Sequence, residues 1–261
     1  MKHKILFMLS FVLMSTLIIS CCKSTCCKSG KCDVSSSKEI YEWRIYTLNG
    51  DGTVLDEFFK ETLIPAYNRQ KISVGAFSLY KQEEKEQRFL LFVYPDLMTY
   101  NKVRQTVWND ADFQTAARPF FDETAPNPVY SEFETNICEA FDKIPVMRVP
   151  DSDRTLFEYR CYHSPNEDAN KRKIKMFNDE EIDLFDKVGI NSVCYGEILS
   201  GTRMPALIYL TWYKDEDTRN EAWNAFGSHP DWRAMRSKPE YRNTAIKNQI
   251  ILLSPMPYSQ F

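Results

Sequence analysis

Residues 41–46 read Tyr-Glu-Trp-Arg-Ile-Tyr, and residues 157–162 repeat the same order of residue types as Phe-Glu-Tyr-Arg-Cys-Tyr. In each copy, aromatic or apolar residues alternate with Glu, Arg and Tyr. This alternation predicts a β-strand with two chemically different faces. One face is aromatic or apolar. The other carries a carboxylate, a guanidinium and a phenol, which are costly to bury unless they are paired or serve a ligand; they are Glu42, Arg44, Tyr46, Glu158, Arg160 and Tyr162.

The repetition continues beyond these strands. A shift of 116 positions aligns residues 71–74 with residues 187–190, and a shift of 118 or 119 aligns Trp108 with Phe226 and residues 112–113 with residues 231–232. The period is too long for a solenoid repeat. The chain is therefore predicted to be a tandem repeat of two small domains.

The first twenty residues are predicted to be a signal peptide rather than part of the fold. Lys2 and Lys4 form a basic start, residues 5–19 form an apolar run that is short for a membrane span, and Ser20 precedes Cys21. Residues 17–21, Leu-Ile-Ile-Ser-Cys, resemble the bacterial lipobox, after which Cys21 would be acylated. An ordinary signal peptide or an anchor helix is the alternative. Either way, the protein is expected outside the cytoplasm.

Charge argues against a nucleic-acid partner. Without Lys2 and Lys4, 31 basic residues remain against 36 acidic ones, a formal net charge of −5. Lys and Arg form no concentrated stripe of the kind that follows a phosphate backbone. The expected partners are the lipid bilayer through acylated Cys21, a small-molecule ligand or protein, and a second copy in a homo-oligomer.

The cysteines fall into two groups. Five crowd into residues 21–38, a segment rich in Ser and Lys, and three lie in the body of the chain. After lipidation of Cys21 the segment would hold four: Cys22, Cys26, Cys27 and Cys32. A flexible tether with disulfides or further acylation is favoured over a zinc site, because adjacent cysteines without nearby His fit zinc spacing poorly. Cys138, Cys161 and Cys194 are predicted to be small core residues.

Each half of the body is predicted to have the order β-α-β-β-α-β. In the first half, strands are predicted over 40–47, 73–81, 89–94 and 129–138, with Pro65 kinking or ending the first helix and a short helix over 112–117. The predicted organisation is a signal peptide over 1–20, a tether over 21–38, a first repeat over 39–140, a linker over 141–154 and a second repeat over 155–261.

The predicted fold class is α+β, with two ferredoxin-like units. Such a unit covers one face of its sheet with helices and leaves the other face bare, so two units bury their bare faces by packing sheet to sheet. This arrangement is predicted to close a barrel and to point the six polar residues of the two repeated strands into the space between the sheets.

The repeated strand motif resembles the start of the NIPSNAP domain. The C-terminal run from Tyr209 to Trp212, through residues 219–226, to His229-Pro230-Asp231-Trp232 is also similar to that family. The resemblance is best in the second half, since the first half lacks the His-Pro-Asp-Trp order. It implies a dimeric α/β-barrel architecture, as in small cofactor-free monooxygenases and haem-handling proteins, and it supplies no catalytic residues.

His229 is the strongest single candidate for chemistry. It lies beside Asp231 and Trp232 where a helix is predicted to end, a position that suits a general base or a haem ligand. A structural role is favoured, because a His in the last turn interacts well with the helix dipole and Pro230 is suited to start the next helix. Any role of His229 belongs to one half only.

The repeated Glu-Arg pairs allow two interpretations. The guanidinium groups of Arg44 and Arg160 could clamp a polar ligand through bidentate donors. Alternatively, each pair forms a buried ionic lock, which is slightly favoured. The predicted ligand-binding set is Glu42, Arg44, Tyr46, Glu158, Arg160, Tyr162, His229 and Trp232.

The body contains no phosphate-binding glycine loop, nucleophile elbow, His-Glu zinc helix or Cys-x-x-Cys pair. No cofactor, metal site or catalytic residue is therefore predicted. The favoured function is a membrane-anchored lipoprotein, facing the periplasm, that binds a small molecule or a protein. The alternative is a cofactor-free or haem-dependent monooxygenase-like enzyme for a small aromatic compound, with Arg160, Tyr162, His229 and Trp232 lining its site and His229 and Tyr162 as catalytic residues.

Overall fold

A computed structural model describes residues 37–81 and 85–261. The predicted signal peptide, the acylation site at Cys21 and the four tether cysteines lie outside the described residues. No helix in the described part of the chain is long and apolar enough to span a bilayer.

The described residues of the first half form four strands and four α-helices. The strands are β1 (Ile40–Leu48), β2 (Ser73–Leu79), β3 (Gln87–Tyr94) and β4 (Tyr130–Ala140). The helices are α1 (Thr53–Phe58), α2 (Ile64–Arg69), α3 (Leu97–Trp108) and α4 (Ala111–Thr124), with a π-helical turn, Phe59–Leu63, joining α1 to α2.

The second half has the same order of strands and helices. Its strands are β5 (Leu156–His163), β6 (Asn191–Ser200), β7 (Ala206–Tyr213) and β8 (Lys247–Pro255). Its helices are α5 (Glu167–Met176), α6 (Ile182–Val188), α7 (Glu216–Ser228) and α8 (Pro230–Ser237), with a π-helical turn, Phe177–Glu181, joining α5 to α6 and a short 3₁₀ turn, Pro239–Tyr241, after α8.

All eight strands form one closed antiparallel barrel. The strand order is β1-β3-β2-β8-β5-β7-β6-β4, and it closes through β4 and β1. Two short strand pairings join the halves. Strand β2 pairs with β8 over three residue pairs, and β4 pairs with β6 over four. The prediction of a mixed α/β fold with a barrel is confirmed.

The barrel interior is filled by aromatic and apolar side chains from both halves. Trp43 packs edge-on against Tyr159 with ring centroids 5.1 Å apart, and Phe77 packs against Phe157 at 4.9 Å. An eight-stranded barrel is just wide enough for its side chains to fill. Cys138, Cys161 and Cys194 are buried in the same cluster, as predicted for small core residues.

The prediction that the repeated polar residues face this interior is wrong. Glu42, Arg44 and Tyr46, like Glu158, Arg160 and Tyr162, point to the opposite face. All of them except Glu42, which pairs with Arg44 and Tyr94, contact the covering helices. Both faces of each strand are buried, so polarity alone does not reveal which face turns inward. The helices supply phenol, guanidinium and indole groups that pair with these polar side chains.

A segment after the last strand of each half runs along an edge of the barrel. Within residues 141–154, the amide of Phe141 donates to the carbonyl of Tyr195, and that of Arg148 donates to Val193. After β8, the amide of Met256 donates to Ala76 and that of Gln260 donates to Val74. These segments satisfy backbone groups of β6 and β2 that the short strand pairings leave open.

Two helical predictions need correction. Helix α4 runs to Thr124 instead of ending near residue 117, and it contains Pro119. Pro65 does not end the first helical segment, which continues through the π-helical turn to Arg69. The amide of Ile64 donates to the carbonyl of Phe59, and the amide of Ile182 donates to Phe177 in the second half. The second π-helical turn has no proline in it or directly after it, so a π-helical turn of this kind forms without proline.

Candidate functional site

A pocket lies between the sheet and the helices of the first half. We call it the first cavity; its volume is about 400 Å³. Its floor is formed by residues of β1 and its walls by α1, α3, α4, β4 and the first π-helical turn. Its volume is within the range of small-molecule sites, which are mostly apolar and contain a few polar groups at fixed positions.

The floor of the first cavity carries the Glu42–Arg44 pair. Arg44 donates from Nε to Glu42 Oε1 at 2.8 Å and from Nη2 to Oε2 at 3.1 Å. Tyr94 donates to Glu42 Oε2 at 2.6 Å, and Arg44 donates to the hydroxyl of Tyr67 at 2.7 Å. Arg44 also lies over the ring of Phe92, 4.1 Å from its centroid. The pair is therefore held in one geometry by two strands and a helix.

Aromatic rings form most of the walls. Phe58 stacks on Phe120 with centroids 4.0 Å apart, and Tyr46 stacks on Phe133 at 4.7 Å. Burial raises the pKa of Tyr46 to about 12, although the charge of Arg44 acts in the opposite direction. The remaining aromatic lining residues are Phe59, Tyr100, Trp108, Phe113, Phe121 and Tyr130.

A second cavity, of about 330 Å³, occupies the corresponding place in the second half. It lies against Arg160 and Tyr162 of β5 and is bounded by α5, α7, α8 and the second π-helical turn. Trp232, predicted as a ligand residue, lines this cavity. Of the predicted set, Glu42, Arg44 and Tyr46 line the first cavity, and Arg160, Tyr162 and Trp232 line the second. Glu158 and His229 line neither cavity.

Glu158 has no exposed surface, and three groups donate to its carboxylate. Arg160 donates to Oε1 from Nε at 2.6 Å, Arg219 donates to both oxygens at 2.8 and 3.0 Å, and the indole of Trp223 donates to Oε2 at 2.9 Å. Burial opposes ionisation, but the bonds and charges of Arg219 and Arg160 outweigh it and lower the pKa of Glu158. This geometry is that of an ionic lock.

The second cavity also contains a buried pair with no counterpart in the first. Lys173 donates to Glu181 at 2.8 Å, and both side chains are nearly inaccessible to solvent. Lys173 lies 4.6 Å from the ring centroid of Phe177.

His229 lies outside both cavities. It is the N-cap of α8, where its Nδ1 accepts from the amide of Asp231 at 3.2 Å, and Pro230 is the first residue of that helix. The structural role is thus helix capping rather than a contact in the last turn of α7. His163 lies at the end of β5, where burial and the charges of Arg203 and Lys247 lower its pKa.

The described residues contain no group of three or more His, Cys, Asp or Glu side chains able to hold a metal ion. Burial raises the pKa of Cys161 to about 11, so its thiol is a poor nucleophile.

Sequence reasoning missed most of the cavity lining. Phe120 and Phe121 of α4 lie beyond the predicted end of that helix near residue 117, so they were not expected in a helix wall. Lys173 and Glu181 carried a detectable signal, since they are charges within a segment of apolar spacing around Phe177. Arg219 and Trp223 are one helical turn apart on α7, a spacing that places both on one face.

Comparison with known proteins supports the resemblance seen in the sequence. Residues 157–260 match the NIPSNAP family model. The NIPSNAP match begins in β5, so it spans the half that contains Glu158 and the second cavity. No curated protein matches the sequence.

Several crystal structures share the fold. A suspected monooxygenase of Fusobacterium nucleatum has a TM-score of 0.54 at 9% identity, covering 84% of this chain and 93% of its own. One from Lactobacillus acidophilus has a TM-score of 0.54 at 10% identity, covering 84% and 94%. An anthrone oxidase-like protein has a TM-score of 0.53 at 9% identity, covering 85% and 93%. At these identities the likeness concerns the fold alone.

Proposed function

We propose that this protein is a binding protein whose first cavity takes a planar, largely apolar small molecule. The observation that carries the proposal is a cavity of about 400 Å³ whose walls are mostly aromatic rings and whose floor holds the Glu42–Arg44 pair. Rings stack on flat apolar ligands, and one fixed polar group orients them. A concave pocket of this size suits a small molecule better than a protein partner, which needs a broad surface.

Binding is favoured over catalysis by the state of the polar groups. Both oxygens of Glu42 already accept hydrogen bonds, from Arg44 and Tyr94, so Glu42 is not a free general base. The lining of the first cavity includes no His, Cys or Lys. Tyr46 and Tyr100 have raised pKa values because of burial, so they hold their protons at neutral pH.

An enzyme is the second candidate, because proteins suspected to be monooxygenases share this fold. Its cofactor-free form would use the first cavity to hold an aromatic substrate. The haem-dependent form does not fit the first cavity, since haem iron is held by His, Cys, Met or an ionised Tyr. His, Cys and Met are missing from its lining, and burial disfavours the tyrosinate form of Tyr46.

The two halves are proposed to be ferredoxin-like units that arose by tandem duplication. Support comes from the strand order, which is the same in both halves, and from the π-helical turns, which begin at Phe59 and Phe177 and are therefore 118 positions apart. The edge segments after β4 and β8 have matching backbone contacts as well.

The protein is further proposed to be a lipoprotein, anchored through acylated Cys21 and facing the periplasm. Support comes from the sequence around residues 17–21. Mass spectrometry of the mature N-terminus tests the anchor, and an N-terminus with unmodified Cys21 would refute it.

The binding proposal is tested with the neutral fluorescent probe N-phenyl-1-naphthylamine. The native chain should bind it with increased fluorescence. Leu55→Trp places a larger side chain inside the first cavity and should weaken binding at least about tenfold, because it fills the space the probe needs. Leu97→Trp is the matched control, since Leu97 is 46% exposed and lies on the outer surface.

A second variant guards against misfolding by Leu55→Trp. Phe133 is half exposed at the cavity and stacks on Tyr46, so Phe133→Ala should leave the fold intact and weaken probe binding several-fold. Equal affinity in the native chain, Leu55→Trp and Phe133→Ala, or a native chain that binds no probe, would refute the proposal.

A further inference from the structure

The second cavity differs from the first at matched positions around the π-helical turns. A shift of 118 positions aligns Leu55 with Lys173 and Leu63 with Glu181. These leucines line the first cavity, while Lys173 and Glu181 line the second. Apolar wall positions in one half have therefore become a buried ion pair in the other, which changes the chemistry that each cavity can accept.

Charges around the second cavity favour an anion. Its lining contains Arg160, Lys173 and Arg236 against the single carboxylate of Glu181, a formal excess of two positive charges. Including Arg219 and Glu158, which pair directly behind Arg160, leaves the same excess. Arg236 is exposed at the rim, whereas Arg160 and Lys173 are buried.

Lys173 retains capacity to donate to a ligand. Its ammonium donates to Glu181 at 2.8 Å and lies 3.5 Å from the sulfur of Met176. An ammonium has three hydrogens. No third hydrogen-bond partner for Lys173 occurs among the described residues. A carboxylate at the cavity floor would satisfy the remaining hydrogen.

Flat side chains form much of the remaining wall. The lining includes Trp223, Phe226, Trp232 and Tyr241. Trp223 is held by its hydrogen bond to Glu158 and by Arg160, whose guanidinium carbon lies 3.6 Å from the ring centroid. A ligand in this space would place an aromatic ring against these walls and its charge against Lys173.

We propose that the second cavity is a separate binding site for a small aromatic carboxylate. The site is distinct from the first cavity in position and in chemistry, so the proposal does not depend on what the first cavity binds.

Isothermal titration of the full chain tests the proposal. The probes are benzoate, 4-hydroxybenzoate and indole-3-carboxylate, each compared with its neutral amide. At least one carboxylate should bind at millimolar concentration or below, and about tenfold more tightly than its amide, because a charge-assisted hydrogen bond is stronger than a neutral one. The double variant Lys173→Leu/Glu181→Leu, which copies the first cavity, should weaken that carboxylate about tenfold or more.

Replacing both partners leaves no unpaired buried charge, so the double variant should keep the fold. Thermal melting checks that the double variant is folded. Arg236→Gln at the exposed rim is a second variant, and it should weaken binding of the carboxylate about threefold. Leu97→Trp, on the outer surface, is the control and should leave carboxylate binding unchanged. The proposal is overturned if no carboxylate binds, if amides bind equally well, or if a folded double variant or Arg236→Gln retains native affinity. None of these outcomes depends on N-phenyl-1-naphthylamine binding.

Discussion

Glu158 shows how one buried carboxylate fixes the second half. Two guanidinium groups and an indole converge on it, from β5 and from α7. A buried charge is tolerated when its partners satisfy it, and removal of one partner is costly because the others remain buried and charged. Glu42 has a similar place in the first half, with one cation and one phenol as its partners.

We therefore expect Glu158→Gln to lower the free energy of unfolding by about 3–5 kcal/mol, since it leaves Arg160 and Arg219 without a counter-charge. Urea unfolding measures the change. Glu132→Gln, on the exposed part of β4, is the control and should have no measurable effect. A loss for Glu158→Gln no greater than for this control would contradict the ionic lock.

The same residue predicts a pH dependence. The pKa of Glu158 is lowered on folding, so the stability that it contributes is present above about pH 4.5 and is lost as the pH falls towards its folded pKa. Between about pH 4.5 and pH 3, the native chain should lose more stability than Glu158→Gln does. Parallel stability curves for the two proteins over this range would contradict the assignment.

His229 serves as a capping residue, and its replacement tests that role. His229→Ala should lower the free energy of unfolding by about 1 kcal/mol, because the amide of Asp231 loses its acceptor. His229→Asp should restore the loss, since Asp is a preferred N-cap. Neither change should alter binding in the two cavities. Weaker binding of N-phenyl-1-naphthylamine or a carboxylate by His229→Asp at unchanged stability would instead indicate a role in a site.

The paired π-helical turns are the elements that shape the cavities. Such turns are rare and often occur at functional sites. Phe59 and Leu63 of the first turn face the first cavity, and Glu181 of the second turn faces the second. An extra residue per turn changes the direction in which the following side chains point, so each turn sets which residues line its cavity.

Pro65 follows the first π-helical turn, and its replacement shows whether proline causes that turn. Pro65→Ala should keep the turn, because the second turn forms without proline. We expect the free energy of unfolding to change by less than about 1 kcal/mol and the affinity for N-phenyl-1-naphthylamine to stay unchanged. A marked loss of probe binding in a stable variant would indicate that the turn had become regular α-helix.

Sequence patterns reveal the elements of this fold better than they reveal its faces. Strand β1 was predicted within a residue of its observed end, because its alternation is strong. Its inward face was assigned incorrectly, since helices bury the polar face while the barrel buries the aromatic one. Periodicity specifies two faces but not which covering layer each one meets. The two cavities depend on this tertiary choice, so they could not be located from spacing alone.

Barrel closure depends on contacts far apart in the chain. Phe261 is buried in the barrel interior beside β2, where a Cβ built on Gly75 would lie 2.4 Å from its ring. The amide of Val74 donates to the side chain of Gln260 at 2.7 Å, and that of Ala76 donates to Ser259 at 2.9 Å. The final residues thus cover the part of β2 that β8 does not reach.

A double-mutant cycle tests this contact. Gly75→Ala should destabilise the native chain by about 1–3 kcal/mol through overpacking, and Phe261→Ala should cost about 3–5 kcal/mol through lost burial. In the Phe261→Ala background, Gly75→Ala should cost much less, because the ring that it would meet is gone. Gly227→Ala is the control, since nothing lies within 4 Å of its added Cβ. Additive losses for Gly75 and Phe261 would contradict the packing.

The described part of the chain combines a closed barrel with two cavities under its helical layer. The barrel interior joins the halves, and the polar motif repeated in β1 and β5 faces outward to form the floor of each cavity. One cavity has an aromatic and aliphatic wall, and the other contains a buried ion pair.

A crystal structure of the chain soaked with N-phenyl-1-naphthylamine tests the location of the binding site most directly. We expect electron density for the probe between β1 and helices α1, α3 and α4, with its rings against Phe58, Phe120 and Phe121. Probe density inside the barrel near Trp43 and Tyr159, or no density between sheet and helices at saturating probe, would contradict this account.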